Sequence, residues 1–162
     1  MQGAEIAQKH HIVVVSVAYR LGVFGYMHNK AFMDEDGVMG NWGSLDQRKA
    51  LEWVNKHINA VGGNNHDVTI SGCSAGGQST QLHLVSPDSW SYFHRVISFS
   101  GPNGITYKNL TEAENLYGSI LDELDCCAGK VYSEVFQSLY HMTTIYGSYT
   151  MGILAHHILW AY

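Results

Sequence analysis

Between the β-branched run Val68-Thr69-Ile70-Ser71 and a helix-like stretch that starts at Gly77 stand five residues, Gly72-Cys73-Ser74-Ala75-Gly76. No other part of the sequence restricts the fold as tightly. A G-x-S-x-G turn between a strand and a helix forces its serine into a strained backbone conformation, and it needs glycine where a β-carbon would collide with the strand or the helix. The hydroxyl of Ser74 would then stand clear of a sheet at a helix N-terminus, where the N–H of Ala75 can hold a developing oxyanion. The chemistry this implies is acyl transfer through a covalent ester on serine. Ser74 is its candidate nucleophile, Ala75 its oxyanion donor, and Gly72 and Gly76 the glycines that shape the turn.

Strand and helix signals alternate along the rest of the chain. Ile12 to Tyr19 is a valine-rich run suited to a strand buried on both faces of a parallel sheet. After a loop from Asp34 to Gly43, Ser44-Leu45-Asp46-Gln47 has the form of a capping box, and Leu51, Val54, Ile58 and Val61 follow at helical spacing towards a stop near Gly62-Gly63. The pattern predicts a helix over Gly77 to Val85, an exit turn at Ser86-Pro87-Asp88 and a strand over Arg95 to Ser100. A second box, Thr111-Glu112-Ala113-Glu114, opens a helix whose stripe is Ala113, Leu116, Ile120, Leu121 and Leu124. The alternation predicts an α/β fold, a mostly parallel sheet with flanking helices and right-handed crossovers.

Composition removes several classes of function. Nine Lys and Arg against fourteen Asp and Glu give a net charge of −5, and without a basic run there is no electrostatic footprint for nucleic acid. The longest apolar stretches, Ile12 to Ala18 and Met151 to Leu154, are shorter than the ~20 residues of a membrane-spanning helix, so no transmembrane segment is expected. Met1 to His11 has no signal-peptide apolar core. The pairs His10-His11 and His156-His157 lack the spacing of metal ligands, so no metal is expected.

Four segments carry a resemblance. Val14 to Tyr26, Gly40 to Gln47 continuing through Ala50 to Val54, the Gly72 to Gly76 turn, and Tyr92 to Gly101 stand in one register. From about Ile12 to about Leu124 the chain resembles the type-B carboxylesterase and cholinesterase family. This resemblance implies a partial α/β-hydrolase domain over residues 1–130 and leaves 131–162 as a divergent C-terminal tail. It implies a serine carboxylic-ester hydrolase acting on a small-molecule ester, a reaction that needs no cofactor. In the family, the triad acid and then the histidine come from loops far beyond the nucleophile strand, and a glycine-rich HGG loop supplies further oxyanion donors. None of these is found here. The expectation is therefore a fragment of a larger enzyme, inactive alone. The family also places another strand between those equivalent to Ile12 to Tyr19 and to Val68 to Ser71, so a gap is expected there, with unpaired backbone on both sides.

Further readings follow from individual positions. His83 and His94 are read as structural, because a helix and a strand entrance are not places from which an imidazole reaches Ser74. Cys73 stands where the family usually has glutamate, and it is read as a small buried packing residue. Cys126 falls where the family begins a downstream disulfide, but only the adjacent Cys127 follows it, so that bridge is not expected. Asn109-Leu110-Thr111 is a sequon for N-glycosylation, and together with the resemblance it points to the secretory route. Two other functions stay open. A cholinesterase-like adhesion or binding module without catalysis is favoured by Cys73 and opposed by Ser74; a non-functional truncated product is favoured by the missing flanks and the tail.

Overall fold

The structure, a computed structural model, describes residues 3–33, 35, 37–101, 107–123 and 157–161. In chain order the elements are α1 (Gly3–His10), β1 (Val13–Val17), α2 (Gly22–Tyr26), α3 (Trp42–His57), β2 (Val68–Cys73), α4 (Ala75–Leu84), β3 (Arg95–Phe99), α5 (Leu110–Glu123) and β4 (His157–Ala161). They fall into two compact units, one holding the strands with α1, α4 and most of α3, the other holding α2 and α5.

The first unit is built on the valine run and the helix after it. Leu51, Val54 and Ile58 line one face of α3 and its 3-10 extension, Ile58–Val61, and they bury against Val68 and Ile70 of β2. Each of the five is at most 2% exposed, which is worth roughly 1.5–3 kcal/mol per side chain. Val13, Val15 and Val17, alternate residues of β1, pack on the same cluster. The predicted stripe ends sooner than expected, since Val61 is exposed.

The predicted capping box at Ser44 does not form. Helix α3 already starts at Trp42, after Asn41 in the left-handed region (φ 57°), so Ser44 lies inside the first turn. Gln47 is buried and turns to partners on α4 instead of reaching back to the helix start.

The sheet order is β1-β4-β2-β3. β2 and β3 pair in parallel from Thr69↔Arg95 to Cys73↔Phe99. β4 runs antiparallel to β1 from Val13↔Ala161 to Val17↔His157, and antiparallel to β2 from Val68↔Ala161 to Ser71↔Ile158. β1, β2 and β3 thus point one way and β4 the other. The gap expected between β1 and β2 is filled, and the strand that fills it comes from the segment read as a tail. Two facing rows of backbone N–H and C=O groups need partners, and one extended segment serves both.

The second unit has its own core of Met27, Phe32 and Leu121, on which Val23, Phe24, Trp42 and Tyr117 pack. Phe32 and Trp42 meet edge to face with ring centroids 6.5 Å apart. Helix α5 opens on a capping box two residues ahead of the predicted one. The Glu112 N–H donates to Asn109 Oδ1 and the Asn109 N–H to Glu112 Oε2, both at 2.9 Å. Glu114, the acid of the predicted box, pairs with Lys30 at 3.4 Å. Of the predicted stripe Leu121 is buried and Leu116 exposed; Leu124, Cys126 and Cys127 lie outside the described residues. Among the described residues no helix is long and apolar enough to cross a membrane.

Candidate active site

Ser74 joins β2 to α4 at φ 56° and ψ −119°, the backbone of the first central residue in a type II′ turn. Its neighbours hold it there. The Ser74 N–H donates to the Phe99 carbonyl at 2.9 Å, and the Ser74 carbonyl accepts from the Gln78 N–H at 3.0 Å. The turn is thereby fixed to the end of β3 on one side and to the first turn of α4 on the other. The Ser74 hydroxyl makes no capping bond to the helix it precedes, and the residue is exposed.

The glycines act through close approach. A β-carbon on Gly72 would overlap the carbonyl carbon and oxygen of Gly76, so strand and helix can meet here only backbone to backbone. One turn further on, a β-carbon on Gly77 would lie 2.9 Å from both the Gly101 Cα and the Phe99 carbonyl oxygen. Ala75 is the first residue of α4. Its N–H belongs to the set that has no acceptor within the helix, at the end where the helix dipole is positive. An exposed hydroxyl thus sits beside an amide suited to stabilising a negative oxygen.

Behind the turn lies a buried polar chain that the sequence did not announce. Ser79 Oγ donates to the Ala75 carbonyl at 3.0 Å, and Gln47 Nε2 donates to Ser79 Oγ at 3.3 Å. Gln47 Oε1 is 3.1 Å from His83 Nε2, and His83 Nδ1 is 3.0 Å from Ser89 Oγ. Since an amide oxygen only accepts, Nε2 carries the imidazole proton and Nδ1 accepts from Ser89. Burial, and after it the Arg48 cation, lower the His83 pKa to about 4. Arg48 is itself paired with Asp88 at 2.6 Å. The Tyr19 hydroxyl joins the same group through Ser79 and Gln47; burial raises its pKa, and the two hydrogen bonds oppose that rise.

His83 is therefore neutral near pH 7 and engaged on both ring nitrogens. His94 is engaged as well. Its Nδ1 accepts from the Val68 N–H at 3.2 Å and its own N–H donates to the Val68 carbonyl at 2.7 Å, fastening β3 to β2. Cys73 departs from the expectation of a buried packing residue. It is exposed, although it is still paired with Phe99 at the end of the β2–β3 ladder. Asn109 is exposed at the start of α5, where it serves as the cap.

A family model described as the carboxylesterase family matches residues 1–144. Pyrethroid hydrolase Ces2a of Mus musculus is 45% identical over 98 residues, 60% of this chain and 17% of that protein. The cAMP-regulated D2 protein of Dictyostelium discoideum is 40% identical over 134 residues, 78% of this chain and 24% of its own length. Cholinesterase of Mus musculus is 40% identical over 115 residues, 70% and 19% of the two chains. The chain thus spans about a quarter or less of the length of these relatives. From a match over most of its length, the chain belongs to the carboxylesterase family, and its strands and flanking helices are part of an α/β-hydrolase fold.

Proposed function

We propose that this chain carries the nucleophilic portion of a serine carboxylic-ester hydrolase. Ser74 Oγ attacks the carbonyl carbon of a small-molecule ester while a base takes the hydroxyl proton. The carbonyl π pair moves onto oxygen, where the Ala75 N–H stabilises it. Collapse expels the alcohol, which takes up that proton, and leaves an acyl-serine; water then attacks, releases the acid and restores the hydroxyl. No cofactor takes part. The acid and imidazole of the triad come, in this reading, from outside the described residues; His83 and His94 are committed to Gln47, Ser89 and Val68. The observation that carries the reading is the exposed Ser74 hydroxyl on a left-handed backbone at the head of α4.

Labelling with a fluorophosphonate ester tests it. In a form of the protein that includes the triad acid and histidine, one adduct is expected on Ser74, lost in Ser74→Ala and kept in Cys73→Ala. The chain by itself is expected to react at least about 10³-fold more slowly, since an unassisted serine hydroxyl is a weak nucleophile. A folded triad-bearing form that takes no label would overturn the reading. It would favour a binding module without catalysis, for which the observation in hand is a thiol at Cys73, where the resemblance places a carboxylate. The exposed Asn109 sequon supports passage through the secretory route. There a mass increment removable by a peptide N-glycosidase and absent in Asn109→Gln is expected.

A further inference from the structure

The strand between β1 and β2 is the one element whose position the alternating order of strand and helix does not explain. β1 pairs with it along all of Val13 to Val17, and β2 along Val68 to Ser71. The walls on either side have a support of their own. Val68 and Ile70 from one wall form a cluster with Leu51, Val54 and Ile58 of α3 and its extension, and Val13, Val15 and Val17 from the other wall pack on that cluster. One apolar cluster thus underlies both β1 and β2, which stand one strand apart. Such a cleft presents two rows of backbone donors and acceptors to whatever enters it, and this is how an extended peptide is recognised at a sheet edge, here doubled.

We propose that β1 and β2 form a strand-binding slot, a site for an extended, proline-free apolar segment running antiparallel to both, and that His157–Ala161 is its occupant in cis. The side that faces β1 and the side that faces β2 are both read through main-chain hydrogen bonds. Sequence preference in the slot is therefore broad, and any residue that removes an N–H is excluded. The same segment supplied as a separate peptide competes for the site. Ser71, the last β2 residue paired with the occupant, lies three positions before Ser74, so filling the slot also fixes the strand that carries the turn.

Two measurements decide it. A chain ending at residue 156 is titrated with a fluorescein-labelled synthetic peptide covering residues 157–162 and followed by anisotropy. Saturable binding is expected, at least about tenfold weaker to the full chain, whose slot is filled, and at least about tenfold weaker for a peptide carrying Leu159→Pro. A shortened chain that is folded by circular dichroism and does not bind, or that binds the proline peptide equally well, overturns the proposal. The register is checked in the full chain with Cys73, Cys126 and Cys127 changed to serine. Ser16→Cys with Ile158→Cys is expected to form a disulfide under mild oxidation, and Ser16→Cys with Leu159→Cys to stay reduced, because adjacent strand residues face opposite sides. Should the shortened chain not fold, the cysteine pairs decide: a 16/158 pair that stays reduced overturns the proposal.

Discussion

At the scale of single residues, the serine turn sets local strain against exposure. A non-glycine residue at φ 56° and ψ −119° costs on the order of 1–3 kcal/mol, held in place here by the Phe99 and Gln78 bonds and the glycine contacts. Ser74→Gly is accordingly expected to stabilise the fold by about 1 kcal/mol while abolishing the fluorophosphonate adduct; urea melts and intact mass check the two halves. Gly72→Ala should do the reverse. Its β-carbon would meet Gly76 backbone, which cannot yield as a flexible side chain does, so a loss of about 3 kcal/mol or more is expected in the same melts. The turn at Gly72 to Gly76 was legible because a sharp strand-to-helix turn is a local steric problem with few solutions. The exposure of Cys73 was not, because it depends on the tertiary surroundings of the end of β2 and not on the turn itself.

At the scale of elements, α3 and α4 are joined by the Gln47, Ser79 and His83 chain. His83 titrates at about 4 against an ordinary 6.5, so between those values the unfolded chain binds the extra proton. Stability should thus be fully present above about pH 6.5, fall as pH drops towards 4, and level off below it. The expected total is roughly 3 kcal/mol. Urea melts across pH 4–7 check this, and the slope should flatten in His83→Gln. Gln47→Leu leaves the His83 N–H without its acceptor and takes one donor from Ser79 Oγ, which keeps its bond to the Ala75 carbonyl, and is expected to cost about 1–3 kcal/mol. Asn109→Ala removes the α5 cap and is expected to cost about 1 kcal/mol, read from helicity and the melt. Helices α3 and α5 were legible from their apolar spacing, but neither cap was, and α1 and α2 were not expected. Ser44 and Gln47 match a capping pattern that Gln47 leaves for a buried partner on another helix, and Thr111 lost the role to Asn109, whose Oδ1 accepts from the Glu112 N–H. Pattern alone does not say which of two competing hydrogen bonds forms.

At the scale of the whole chain, two apolar clusters without shared members serve the two units. Leu121→Ala is expected to cost about 2–4 kcal/mol and to shift the fluorescence of Trp42, which packs on that cluster, while amide exchange in β2 stays unchanged. The α/β alternation was legible because β1, α3, β2, α4, β3 and α5 each carry a signal within about a dozen residues. The sheet order was not, because β4 is a short segment whose two partners lie far away in sequence, and nothing local distinguishes a central strand from a tail. The bond from the Ser74 amide to the Phe99 carbonyl carries one more implication. The aim of the hydroxyl is referenced to the outermost strand on that side, so a shift of β3 by a fraction of an ångström would steer the oxygen towards or away from a bound carbonyl without touching the serine itself.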